Sequence, residues 1–308
     1  MAEAELDTVK SGNGDHLISP CMEVLAFSRT SLEHGAPGML AFYQAFLERW
    51  GAGVTFYRTN TMSRVKKATN QTLEMLPFWL QDKASLREKL LGLRLHGGRG
   101  GHDYALPAFE MFSDQSNAKE PCSFFRMAVP LEATWQDPGA LLALVREALA
   151  KFPLHWGYAG YSLLWEEEEV RHEPEAVSTL EDWLTELPGL SYGYPLFFLS
   201  RSVRGVIDVN WLTLLGPEMT NQLGGQEKLA RGLPPQVRVH SLGAGGALIQ
   251  AGQGPVLGRA TEAPSLEHYR AVGKAVSALR APRAVLEEIQ MWPLSGGQEV
   301  AWLDRFFP

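Results

Sequence analysis

Cysteine is nearly absent from this chain: Cys21 and Cys122 are the two in 308 residues. They lie a hundred residues apart and form no C-x-x-C pair, which argues against a disulfide framework or a thiol-rich metal centre. Their apolar, strand-like surroundings fit buried thiols in a reducing compartment. Long hydrophobic runs are missing too, since no stretch approaches the ~18 to 20 apolar residues of a membrane span. Met1 to Asp15 is acidic and polar, without the basic start and apolar run of a secretory signal. The expectation is a cytoplasmic protein with no membrane partner. Positive charge is in deficit, with a net of −7 and both signs mixed along most of the chain, so nucleic acid is a poor direct ligand.

Recognisable catalytic motifs are also lacking. No Gly-x-Ser-x-Gly elbow occurs, and neither cysteine has basic neighbours to activate it. The glycine-rich stretch Gly97 to Gly101 lacks the Lys-Ser/Thr of a phosphate loop, and Gly243 to Gly246 sits between two strand-like runs instead of opening a helix. His96 and His102 flank the first of these loops beside Asp103 and read as solvent-exposed loop histidines, because a mobile loop offers no rigid ligand set. We therefore expect no catalytic residue, no metal and no cofactor. An active site assembled only in space, or a scaffolding subunit with a self-complementary apolar patch, stays open as an alternative.

What is present is ordinary globular material, 45% hydrophobic and 20% charged. The order of elements predicts an α+β protein with antiparallel or mixed sheets flanked by helices, built from strand-helix-strand units. Met22 to Phe27 reads as a strand, and Ala36 to Trp50 places Met39, Phe42, Tyr43, Phe46 and Trp50 on one helical face. Val54 to Tyr57 returns as a strand, and Thr59 to Leu95 reads as mostly helical. Ser123 to Leu131 is a strand, Asp137-Pro138 opens a helix striped by Leu141, Leu144, Val145, Ala148 and Leu149, and Trp156 to Trp165 is a strand with one buried face. Further on, Gly205 to Leu215 reads as a strand, Val237 to His240 and Ala247 to Ala251 as a hairpin, and Ser265 to Leu279 as a helix. Residues 1–20 are expected to be a flexible N-terminus, 21–120 an N-terminal α+β subdomain, and 121–308 a C-terminal α+β subdomain packed against it as one unit.

One segment stands apart. Between Glu166 and Glu186 there are nine acidic residues and one arginine, a net of −8 with His172 neutral, so the remaining 287 residues sum to +1. Pro174 can open a helix here, with Val177, Leu180, Trp183, Leu184 and Leu187 buried and the acids facing outward. Within it we single out Glu166, Glu167, Glu168, Glu169, Glu181 and Asp182 as candidate contacts for a protein partner with a basic surface. Trp165 abuts the four glutamates and is the aromatic most expected to reach the surface as an anchor.

The C-terminal third carries an ordered series: Val209-Asn-Trp-Leu-Thr-Leu-Leu-Gly216, Leu223-Gly-Gly225, Ala247-Leu-Ile-Gln-Ala-Gly252, Pro255, Leu257-Gly258, Tyr269-Arg270 and Leu279-Arg280. Upstream lie Trp156-Gly-Tyr-Ala-Gly-Tyr161 and Leu187-Pro-Gly-Leu190 with Pro195, and the chain closes on Trp302-Leu-Asp-Arg-Phe306. From about Cys122 onward this resembles the type VI immunity family, with a weaker match before it. Gly258-Arg259-Ala260 departs from the pattern, standing where an acidic residue is expected after the glycine. The resemblance implies a protein that binds and neutralises a cognate antibacterial effector toxin of a type VI secretion system. It carries over no catalytic residues, and the motif residues read as structure, Trp211 and Leu212 as core and the glycines as turns.

Overall fold

The structure, a computed structural model, describes residues 6–131, 137–259 and 266–308. Its framework is one sheet in which every ladder is antiparallel. In chain order the strands are β1 (Val9–Lys10), β2 (His16–Ser28), β3 (Phe56–Thr59), β4 (Lys66–Lys67), β5 (Leu90–Gly97), β6 (Ala105–Asp114), β7 (Cys122–Val129), β8 (Trp156–Trp165), β9 (Leu212–Leu215), β10 (Val237–Leu242) and β11 (Gly246–Ala251). In space they run β10-β11-β9-β8-β2-β7-β6-β5-β3-β4, with β1 beside β2. The fold is thus α+β, antiparallel rather than mixed.

The order interleaves the two halves of the chain. β7 enters between β2 and β6, while β2 lies between β7 and β8. The sheet therefore runs unbroken across the expected boundary at residue 120. Two strands begin within the stretch expected to be flexible: β1 lies wholly inside it, and β2 starts at His16 with Leu17, Ile18, Ser19 and Pro20 buried and Ile18 paired to Trp165.

Two helices close one face. Leu32–Trp50 buries Met39, Phe42, Tyr43 and Phe46 at helical spacing, and Phe42 meets Phe125 of β7 edge-on with ring centroids 6.0 Å apart. Pro138–Ala148 is capped by Asp137, whose carboxylate accepts from the Gly139 amide at 2.8 Å, and buries Leu141, Leu144, Val145 and Ala148. These two helices pack on each other, and Gly38 lets the first come close to the segment that follows the second, since a Cβ there would lie 2.0 Å from the Lys151 carbonyl oxygen.

The other face is roofed by the C-terminal third. Trp156 donates its indole N–H to the Ser202 carbonyl at 2.8 Å. Because both faces are covered, all of β8 is buried, where one buried face was expected. The strand expected from Gly205 shrinks to Leu212–Leu215, because the backbone before it is held by side chains. Asp208 accepts from the Val209 amide, Ser191 and Arg305, and Asn210 bonds the Trp211 amide, the Tyr161 carbonyl and Ser191. Asn210 fills the space over Gly160, where a Cβ would come within 1.9 Å of its amide oxygen.

The largest departure from expectation lies between Thr59 and Leu95. Only Asn70–Leu73 and Met75–Trp79 form short α-helices there, and Leu90–Gly97 is a strand. Leu91, Leu93 and Leu95 alternate with Gly92, Arg94 and His96, a period of two that leucine content disguises as helix. His96 is buried, not exposed, stacked on Phe56 with its Nδ1 donating to the Gly97 carbonyl. The hairpin of β10 and β11 and the glycine turn between them stand as expected. The helix expected over Ser265 to Leu279 is observed from Glu267 to Ala275, with Ser277–Leu279 a separate 3-10 turn; its expected start at Ser265, like Ala260, lies outside the described residues.

Candidate functional site

Strand register sets a row of charges across the sheet. Arg58 of β3 stands opposite Arg94 of β5, Arg94 opposite Glu110 of β6, and Glu110 opposite Arg126 of β7. Directly opposed residues share a face, so all four side chains lie on the side away from the Leu32–Trp50 helix. Glu23 of β2 completes the row, 2.6 Å from Arg126 through Nε and Oε1.

Each inner member is enclosed by ligands of opposite sign. Arg126 also reaches Glu110 at 3.1 Å and donates to the Leu163 carbonyl at 2.7 Å. Glu110 accepts from Arg94 and from the Tyr104 hydroxyl, the latter at 2.7 Å. Burial pushes the Glu110 carboxyl up, but Arg94 and Arg126 outweigh it and hold it at about 2. For Glu23 burial prevails, and its carboxyl is raised despite Arg126.

Arg94 is the link from interior to surface. Its guanidinium also bonds Glu166, which follows β8. Around these residues opens a groove of about 360 Å³ lined by Arg58, Asn60, Arg94, Glu110, Phe112, Phe124, Glu166, Glu168, Tyr194 and Leu196. Leu196 is 39% exposed, one of few large apolar side chains so placed.

The acidic segment forms a ridge that meets this groove at Glu166 and Glu168. Glu167–Val170 is one short helix and Pro174–Glu186 another, the second burying Ala176, Leu180 and Leu184. Val177 and Trp183 are half-buried. Of the acids singled out from sequence, Glu166 is held by Arg94, Glu167 by Arg171, Glu169 by His102 at 2.8 Å, and Glu181 accepts from Gln298 at 3.0 Å. Glu168 and Asp182 are exposed and, among the described residues, have no side-chain partner. The same holds for Glu173, Glu175 and Glu186; Glu175, Asp182 and Glu186 follow helical spacing along one exposed stripe.

Trp165 does not reach the surface. It is 1% exposed, donates its indole N–H to the Tyr192 carbonyl at 3.0 Å, and packs among Tyr192, Tyr194 and Trp292. Its place at the end of a strand suggested exposure, but the Leu190–Tyr194 segment and the Trp292 region fold over it. Sequence reading missed Arg58, Arg94, Glu110 and Leu196. The period-two pattern of β5 was the available signal for Arg94, whereas the register that joins it to Glu110 is a long-range property.

Other reactive groups are arranged for stability. Cys21 and Cys122 are buried free thiols; burial pushes both up, Cys122 to about 11. Asp103 is raised by burial but held at about 2 by the amide and ring of His16 and the Arg99 amide, which pins the glycine loop expected to be mobile. Among the described residues no group of three His, Cys, Asp or Glu is placed to hold a metal ion, and no helix is long and apolar enough to cross a membrane.

Comparison with known proteins adds a family and a fold. The family model TsiV, type VI immunity for VRR-NUC, matches residues 39–306. No curated protein matches in sequence. Among solved structures, the Pseudomonas aeruginosa T6SS protein PA0821 shares the fold with a TM-score of 0.78 at 18% identity, over 99% of this chain and 88% of that one.

Proposed function

This chain belongs to the TsiV family of type VI immunity proteins, and we propose that it neutralises a VRR-NUC effector by covering the surface with which that nuclease holds nucleic acid. The carrying observation is the set of five outward carboxylates, Glu168, Glu173, Glu175, Asp182 and Glu186, that have no counter-ion among the described residues. A nuclease must present positive potential to a phosphate backbone, and a rigid acidic ridge competes for the same potential. Complementary fields raise the association rate, which suits an inhibitor that must reach its target before damage occurs. The protein acts as a plug in the cytoplasm, where the nucleic acid is, and makes or breaks no bond.

The test is binding of this protein to the purified VRR-NUC effector of the same organism across a salt series. The expected result is tight binding whose association rate falls steeply with salt, and a rate at least ~tenfold lower for the triple variant Glu175→Lys, Asp182→Lys, Glu186→Lys. Unchanged rate and salt dependence in that variant overturn the acidic docking mode.

A further inference from the structure

Resting on that reading, we propose that the groove beside the ridge is the receptacle for an extended segment of the effector, one carrying an acidic, a basic and an apolar side chain. The inference comes from which groove residues the fold leaves unsatisfied. Arg94 is engaged by both Glu110 and Glu166, and Glu110 also by Arg126. Arg58 does not share in this. It stands directly opposite Arg94, a like-charge pair that disfavours the sheet, and among the described residues it has no carboxylate partner. Its Nε donates only to the Met62 carbonyl, at 3.3 Å.

Glu168 is the converse case, an exposed carboxylate on the groove with no cationic partner among the described residues. Besides these charges the groove is lined by Phe112, Phe124 and the exposed Leu196. An acidic group on Arg58, a basic group on Glu168 and an apolar side chain on Leu196 together satisfy what the chain itself leaves open. A space of about 360 Å³ takes a few side chains of a loop, and not a whole helix ~10 Å across. The opposed signs also make the groove selective. A segment with charges in the reverse order meets repulsion at both ends, which gives discrimination between effectors that the uniformly acidic ridge cannot.

Affinity for the VRR-NUC effector of the same organism is measured for Arg58→Glu, Glu168→Lys and Leu196→Asp at 0.5 M salt, where long-range steering is screened. Each is expected to weaken the complex at least ~tenfold, while Lys66→Glu, an equal charge change on exposed β4, leaves it within ~twofold. A photo-reactive benzoylphenylalanine at Leu196 is expected to cross-link to a single effector peptide bearing both an acidic and a basic residue. Wild-type binding with all three groove variants unchanged sinks the groove and leaves the proposed function standing. Absence of wild-type binding sinks both. A cross-link from Leu196 to a second copy of this chain assigns the groove to self-association and overturns the proposal.

Discussion

Glu110 and Asp182 carry the same charge in opposite surroundings. The first is buried among Arg94, Arg126 and Tyr104; the second stands on an exposed helical stripe with no side-chain partner among the described residues. The difference teaches where a charge is held by the fold and where it is left available. A buried ion costs several kcal/mol to desolvate, so it survives only where opposite charges and hydrogen bonds enclose it. An exposed one costs almost nothing to keep and contributes almost nothing to stability, which leaves it free to serve recognition.

The contrast can be broken most forcefully at Arg126. Arg126→Met leaves Glu23 and Glu110 facing each other in the interior and should destabilise the protein by about 3–5 kcal/mol, measured by urea unfolding. Adding Glu23→Gln and Glu110→Gln to that variant should recover much of the loss, since the penalty lies in the unpaired charges. No recovery would mean that packing, not charge, governs this site.

Acid should reveal the same interior. Burial, assisted by the neighbouring Arg94, lowers the His96 imidazole to about 4, against opposing contributions from the Gly97 carbonyl, Glu110 and Asp103. With the folded value below the unfolded ~6.5, the unfolded chain binds the extra proton first. Stability is then complete above pH 6.5 and declines as pH falls toward 4, by on the order of 3 kcal/mol from this residue. His96→Gln should remove only part of that slope, because burial also lowers His155 to about 4 and it titrates over the same range, while loss linked to Glu110 follows only below about 4.5.

On the ridge the effects on stability should shrink. The triple Lys variant at Glu175, Asp182 and Glu186 should unfold within about 0.5 kcal/mol of wild type. Loss of an acid in the first helical turn is offset there by a cation gained in the last. The smallest change is expected for His102→Ala, which removes the exposed pair with Glu169 and should leave the thermal midpoint within about 1 °C. A large shift from either would show that the ridge is structural after all.

Much of this architecture was legible from local pattern. Asp137-Pro138 announced its helix, the β10–β11 hairpin followed from its glycine turn, and Pro174 opened the acidic helix with Leu180 and Leu184 inward. What escaped depended on distant partners. Leu90 to Leu95 looked helical by composition until β6 paired with it, and Trp165 looked exposed because the cover over it arrives from Tyr192 and Trp292. The ridge could be located by counting charges along the chain. The groove could not, because Arg58, Arg94, Glu110 and Glu166 meet only through register.

The interleaving of β2 and β7 has a consequence for synthesis. A ribosome that has released β2 and β6 has made two strands whose shared neighbour is still inside the exit tunnel, and β2 gains its second flank only when β8 follows. Most of the sheet must therefore wait for distant segments before it can close. A message cut short before β8 leaves β2 without one of its two flanks, so the truncated product lacks a closed sheet and is not a smaller copy of it.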